Sequence, residues 1–163
     1  KRSCRALEAM ATGPVRFLFG DRVSLADLAF YGQLKVMSYD PTPMAWMRGD
    51  TPYLYRWLDL ADDASGLGGE WLDVETALAL GPVKTLLAQT GDTYLPFLKA
   101  NADAIAAGAE TFTVTLEGRP FSQGVFKYQA KCLETLRSLW AGLGAGDKSK
   151  LRTLIGEGAA ILD

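Results

Sequence analysis

Few residues in this 163-residue chain are equipped for chemistry, and histidine is not among them. Without it there is no Ser-His-Asp or Cys-His nucleophilic site, no common zinc site and no ordinary general base near neutral pH. The adjacent carboxylates Asp62 and Asp63 suggest an acid or metal site. Neighbours on a helix point about 100° apart, however, so the pair is expected to be a solvated helix end. Cys4 and Cys132 are isolated thiols without a CxxC partner, and they fit packing residues in a reducing compartment better than a disulfide. Gly66, Gly68 and Gly69 lack the preceding strand and the following Gly-Lys-Ser/Thr of a phosphate loop. The aromatic group Trp46, Tyr53, Tyr55, Trp57 and Trp71 is large enough to line a pocket for an apolar ligand, although rings at helical spacing more often form core. The expectation is therefore a chain with no catalytic, cofactor-binding or metal-ligating residue of its own.

Composition points the same way. Hydrophobic residues make up 48% of the chain and the net charge is −2, with no large block of one sign. Such a chain has ample material for a core and no footprint for nucleic acid or a membrane surface. No apolar run approaches the roughly 18 to 20 residues that cross a bilayer, and no signal peptide precedes the first helix, so a cytoplasmic location is expected.

The elements follow from periodicity and punctuation. Residues 1 to 12 read as a helix ended by Gly13-Pro14. In GDRVSLADLAFYGQL, Ser24 and Asp27 have the spacing of a capping box, with Val23 and Leu28 placed as a hydrophobic staple. The helix they open, 25 to 38, is apolar on nearly every side and is expected in the middle of the domain. Asp40-Pro41-Thr42-Pro43 stops it, and a short helical turn is expected near Met44 to Arg48. Thr51 reads as the N-cap, with Pro52 at N1, of a helix to about 63 that buries Leu54, Trp57, Leu58 and Ala61. After the break at SGLGG, the side chains of Trp71, Leu72 and Val74 are expected to pin the chain to the body. A long helix from 83 to 108 should kink between Gly91 and Pro96. TFTVTLEGRPF shifts to period two and predicts a hairpin turning at Glu117-Gly118. A helix from 125 to 143 and a last one capped by Asp147 complete the chain.

The run FLFGDRVSLADLAFYGQL, followed by TPYLYRWLDLADD, resembles the C-terminal all-helical domain of glutathione transferases of bacterial type. The residues that carry the resemblance are Phe17, Leu18, Gly20, Ser24, Leu25, Ala26 and Asp27, then Pro52, Leu54 and Trp57, and it covers about residues 1 to 64. The resemblance implies an all-α fold, a helical bundle of the glutathione transferase C-terminal type over residues 1–74. Residues 75–163 would be a helical extension with a small β-hairpin, packed on the same body. In that family an N-terminal thioredoxin-like domain binds glutathione and activates its thiol, and nothing in these residues resembles it. The intact protein would conjugate or reduce small electrophiles with glutathione as co-substrate, this chain being the inactive electrophile-side domain and the thioredoxin-like domain its missing partner. The rival is a non-catalytic protein-interaction domain on the same scaffold. With a partner helix absent, apolar surface around Tyr31, Leu34, Leu7 and Met10 is expected to be uncovered. It would be closed by homodimerisation or by the extension folding back through Phe97, Phe121, Tyr128 and Trp140. Tyr31 and Tyr128 are the residues expected to line any second-substrate site.

Overall fold

The computed structural model describes residues 1–163, which divide into two compact units, Lys1–Leu86 and Leu87–Asp163. In the first unit α1 (Arg2–Ala11), α2 (Leu25–Met37), α3 (Pro41–Asp50), α4 (Pro52–Asp62) and α5 (Val74–Ala79) follow in order. The division falls within α6 (Gly81–Gln89). The core of the first unit holds Leu7 and Met10 of α1, Phe17 of the connection, and Leu54, Trp57 and Leu58 of α4. Phe17 meets the Trp57 ring edge-on at 6.1 Å between centroids, a geometry that the ring quadrupoles favour.

The start of α2 is held by one carboxylate. Asp27 is 0% exposed, and its Oδ2 accepts from the Ser24 amide at 2.9 Å and the Ser24 hydroxyl at 2.5 Å, while Oδ1 accepts from the Leu18 amide at 2.9 Å. The Asp27 amide in turn donates to Ser24 Oγ at 3.3 Å, which closes the reciprocal capping box. The connection before it is strapped by backbone bonds: the Asp21 amide donates to the Glu70 carbonyl at 3.0 Å and the Leu72 amide to that of Phe19 at 2.9 Å. Gly20, at φ +130°, makes this approach possible, because a side chain there would lie 2.5 Å from the Glu70 oxygen.

Several expectations are corrected. The chain after the SGLGG break is tied down by its backbone, and Trp71 and Val74 stay largely in solvent. Helix α3 is longer than a turn, opened by Asp40, whose carboxylate accepts from the Thr42 amide at 2.9 Å; α2 has already ended at Met37 with Ser38 as its C-cap. Thr51 occupies the N-cap of α4, but its hydroxyl donates to the Met47 carbonyl. The capping oxygens come from Glu8 on α1, which accepts from the amides of Tyr53 at 3.2 Å and Leu54 at 2.6 Å. Leu7, Met10 and Leu34 are buried, so they are not the uncovered surface that the resemblance implied.

Helix α2 is not enclosed either. Leu25 is 85% and Val36 70% exposed, Leu28 and Tyr39 lie open beside them, and only Asp27 and Leu34 of the helix are buried. The reason is geometric: α4 packs along one side of α2, and an all-apolar helix needs cover on more than one. The half-open Leu28 leaves the expected staple partly in water.

In the second unit the long helix contains a π-helical segment, Thr90–Tyr94, between α6 and α7 (Leu95–Ala106). The extra residue of this wide turn replaces the simple proline kink predicted ahead of Pro96. It also brings the Gly91 backbone against Ile155 and Gly158, so closely that a Cβ at either glycine would overlap backbone atoms. Strands β1 (Thr111–Leu116) and β2 (Arg119–Gly124) pair antiparallel, and Glu117 and Gly118 turn between them with φ of 50° and 74°. Two positive φ values in a two-residue loop match the right-handed strand twist. Phe112 of β1 packs beside Phe97 of α7. The buried Asn101 of α7 holds the chain leaving β2, accepting from the Phe126 amide at 2.8 Å and donating to the Phe126 carbonyl at 3.0 Å.

Helix α8 (Lys127–Ala141) contributes Leu133 and Trp140 to the core of this unit with Leu95, Leu98 and Ile155. Asp147 is not the cap of α9 (Ala145–Ile155): Gly144 holds that position and Asp147 lies in the first turn. At Gly156, φ +77°, the predicted last helix gives way to a 3₁₀ segment, Gly156–Leu162. The C-terminal Asp163 carboxylate accepts from Trp140 Nε1 at 3.1 Å and Arg152 at 2.5 Å.

Replacing both members of the box, Ser24→Ala with Asp27→Ala, leaves the Leu18, Ser24 and Asp27 amides without partners in a buried place. A loss of about 2–4 kcal/mol is expected in denaturant unfolding followed through the Trp57 environment. An unchanged midpoint would show that these amides reach water.

Candidate functional site

The titratable groups of the first unit that interact most closely sit between α2 and α4. Tyr31, on the second turn of α2, donates its hydroxyl to Asp62 at the end of α4. One turn further along α2, Lys35 lies 3.2 Å from Asp59 and 3.4 Å from Asp62. Residues 31 and 35 share one face of α2, as 59 and 62 share one face of α4, so helical spacing alone makes the two pairs meet once the helices pack. Asp62 thus has fixed partners rather than being a merely solvated helix end, and Asp63 does not join it.

The electrostatics follow from these contacts. The bond to Tyr31, then the charge of Lys35, holds the Asp62 carboxyl below its usual range. The same bond, with some burial, raises the Tyr31 phenol. The Asp59 contact raises Lys35. All three groups therefore keep their ordinary charge state near neutral pH, and none is poised to exchange a proton there. A phenol raised in this way is a poor donor of a phenolate, and its hydrogen is already committed to Asp62. The constellation can orient Tyr31 as an aromatic surface beside the open α2 stripe, but it supplies no acid, base or nucleophile.

Tyr128 is placed elsewhere. It lies in the first turn of α8 in the second unit, 67% exposed, with its ring against that of Phe126 at 6.3 Å. Tyr94, from the π-helical segment, has its phenol raised chiefly by burial and to a lesser degree by Cys132 and Tyr128. Tyr31 and Tyr128 thus belong to different units, each with its own neighbours. The thiols are likewise divided: Cys4 is buried in the first unit and Cys132 half-buried in the second, both free. No group of three or more Cys, Asp and Glu side chains is arranged to hold a metal ion.

The aromatic group splits in a way its spacing did not reveal. Trp46 lies under Lys1, Trp71 under Arg22 and Tyr55 under Arg48, at 5.0 to 5.6 Å from ring centre to cation. Tyr53 and Trp57 instead face a cleft. The contributions of Glu8 and Lys35 escaped sequence reasoning because both act across 24 or more residues. A carboxylate and an amine at half-buried helix positions give no local signal of a distant partner.

The element order and the buried cap of α2 can now be set beside known sequences. Residues 1–60 match the family described as glutathione S-transferase, C-terminal domain. The match covers less than half of the chain, and within it lie the Asp27 box, Gly20 and the α4 start with Pro52, Leu54 and Trp57. This segment is a helical domain of the glutathione S-transferase C-terminal type, in a mostly helical chain with one small antiparallel hairpin. No curated protein and no solved structure matches the chain. No helix is long and apolar enough to cross a membrane.

The shifts around Tyr31 set a pH dependence. Asp62 is depressed on folding, so its stabilisation is present above its unfolded pKa and is lost as pH falls through the lower folded value. Tyr31 and Lys35 are raised, so theirs is present below the unfolded values and is lost as pH rises through the folded ones. A melting-temperature profile should fall off below about pH 4 and above about pH 10. Tyr31→Phe should flatten part of both limbs, and an unaltered profile in that variant would show the contact to be absent in solution.

Proposed function

We propose that this chain is the electrophile-side helical domain of a glutathione S-transferase-like protein. In that reading residues 1–74 are the transferase-type core and 75–163 an extension. The observation that supports the reading is the family match over residues 1–60, which falls on the segment built around the buried Asp27. The intact protein would conjugate or reduce small electrophiles with glutathione, its thiol activated by a thioredoxin-like domain. Thiolate formation needs a positioned donor or a nearby positive field beside the sulfur. The polar groups around Tyr31 are already paired among themselves, so this chain alone is inactive. Its part in the reaction would be to hold the second substrate, with Tyr31 and Tyr128 as candidate lining residues. A cytoplasmic location accords with two free thiols.

The chain alone is expected to be washed from immobilised glutathione and to give no turnover of an aryl halide with glutathione. Addition of a thioredoxin-like domain from the same gene product should restore both. Retention of the isolated chain would overturn the assignment of the glutathione site to another domain.

The second reading, a docking domain without chemistry, draws on the open stripe of α2. Leu25, Leu28, Val36 and Tyr39 present apolar surface of a kind that monomers seldom leave in water. In the transferase reading this face is covered by the thioredoxin-like domain and its adjoining helices, and in the isolated chain two copies cover it mutually. Light scattering over a dilution series should therefore show a dimer that dissociates in Leu25→Ser with Val36→Ser. A monomer at every concentration would count against this use of the stripe.

A further inference from the structure

The first unit carries a concavity that the preceding reading does not use. It lies between the end of α1, the connection at 13–16 and the first turns of α4, with a volume of about 410 Å³. Val15 and Leu60 give it apolar walls, and Tyr53 and Trp57 supply aromatic surface. Such a volume lies within the range of small-molecule clefts. The Trp57 indole N–H is spent on the Arg16 carbonyl at 2.9 Å, so it fixes the backbone of the connection against α4 and offers no donor to a ligand.

The charge in the cleft is one-sided. Arg16 and Arg56 both line it, and no acidic side chain does. Four other basic residues of this unit are engaged: Lys35 with Asp59 and Asp62, and Lys1, Arg22 and Arg48 over aromatic rings. The Arg16 and Arg56 guanidiniums have no such partner. Two carboxylates at α4 are already engaged: Glu8 accepts from the Tyr53 and Leu54 amides, and Asp59 from Lys35. Residues 1–22 carry five basic side chains against two acidic ones, so the field around α1 adds to that of the pair. Guanidinium is weakly hydrated, pairs with carboxylates through two parallel hydrogen bonds and stacks on flat rings.

The geometry points to a binding site for a small organic anion with a flat apolar body. Its carboxylate or sulfonate lies between Arg16 and Arg56, and its body rests on Val15, Leu60 and the Tyr53 ring. The site is separate from the α2 stripe, because none of its lining residues belongs to α2.

The test compares 1-naphthoate with the uncharged 1-naphthamide on the full chain, following the Trp57 indole N–H by NMR and affinity by calorimetry. The naphthoate should bind about tenfold more tightly, the effect of a charged hydrogen bond discounted for solvent exposure. Arg16→Met with Arg56→Met should abolish that preference, while Leu25→Ser with Val36→Ser leaves it intact. Both arginines are exposed, so these variants should fold, and the comparison of the two ligands on the unaltered chain needs no variant. Equal binding of acid and amide would overturn the proposal, as would a preference that survives the arginine changes or vanishes with the α2 changes.

Discussion

One buried carboxylate organises the first unit. Asp27 gathers two amides and a hydroxyl, and through the Leu18 amide it reaches back nine residues into the connection. That reach turns a local helix cap into a tertiary constraint. With Leu18 fixed, Phe17 is delivered to the Trp57 ring and Gly20 to the backbone at Glu70 to Leu72. A carboxylate at this depth is tolerable only when its oxygens are supplied with donors. The short, glycine-containing connection supplies them because it is curled around the helix start. A second carboxylate repeats the device across helices: Glu8 of α1 caps α4, so the relative placement of α1 and α4 is set by charge-assisted hydrogen bonds as well as by core packing.

The second unit relies on close backbone approach. Gly91 in the π-helical segment and Gly158 in the final 3₁₀ segment meet where neither can carry a side chain, and this contact places Ile155 and Leu162 in the core with Leu95 and Leu98. Asn101 then fixes the hairpin exit with two hydrogen bonds that imitate a strand pair. The unit is closed at its end by Asp163, whose carboxyl is held low first by Arg152 and then by Trp140.

The chemistry of the chain is consistent with its architecture. Where titratable groups meet, at Tyr31, Lys35, Asp59 and Asp62, they are spent on one another. Arg16 and Arg56, which lack such partners, face a cleft. Recognition by shape and charge is what such an arrangement provides, and the apolar side of α2 adds a surface suited to another protein element.

Local sequence determined much of this protein. The helices at 2–11, 25–37 and 52–62 and the hairpin at 111–124 follow from periodicity and punctuation, because capping residues, prolines and alternating strands act within a few residues of themselves. The pairing of Ser24 with Asp27 belongs to the same class, as does the family resemblance it carries. Tertiary structure alone decided which sides of α2 are covered, since an apolar helix carries no mark of how many neighbours it will find. It also decided that Glu8 caps α4 in place of Thr51, that the bend before Pro96 is a π-helical segment, and that α9 begins after Gly144. Each of these depends on where a distant backbone comes to rest. Pattern along the chain fixes which elements form, whereas long-range hydrogen bonds and close approach fix what those elements face.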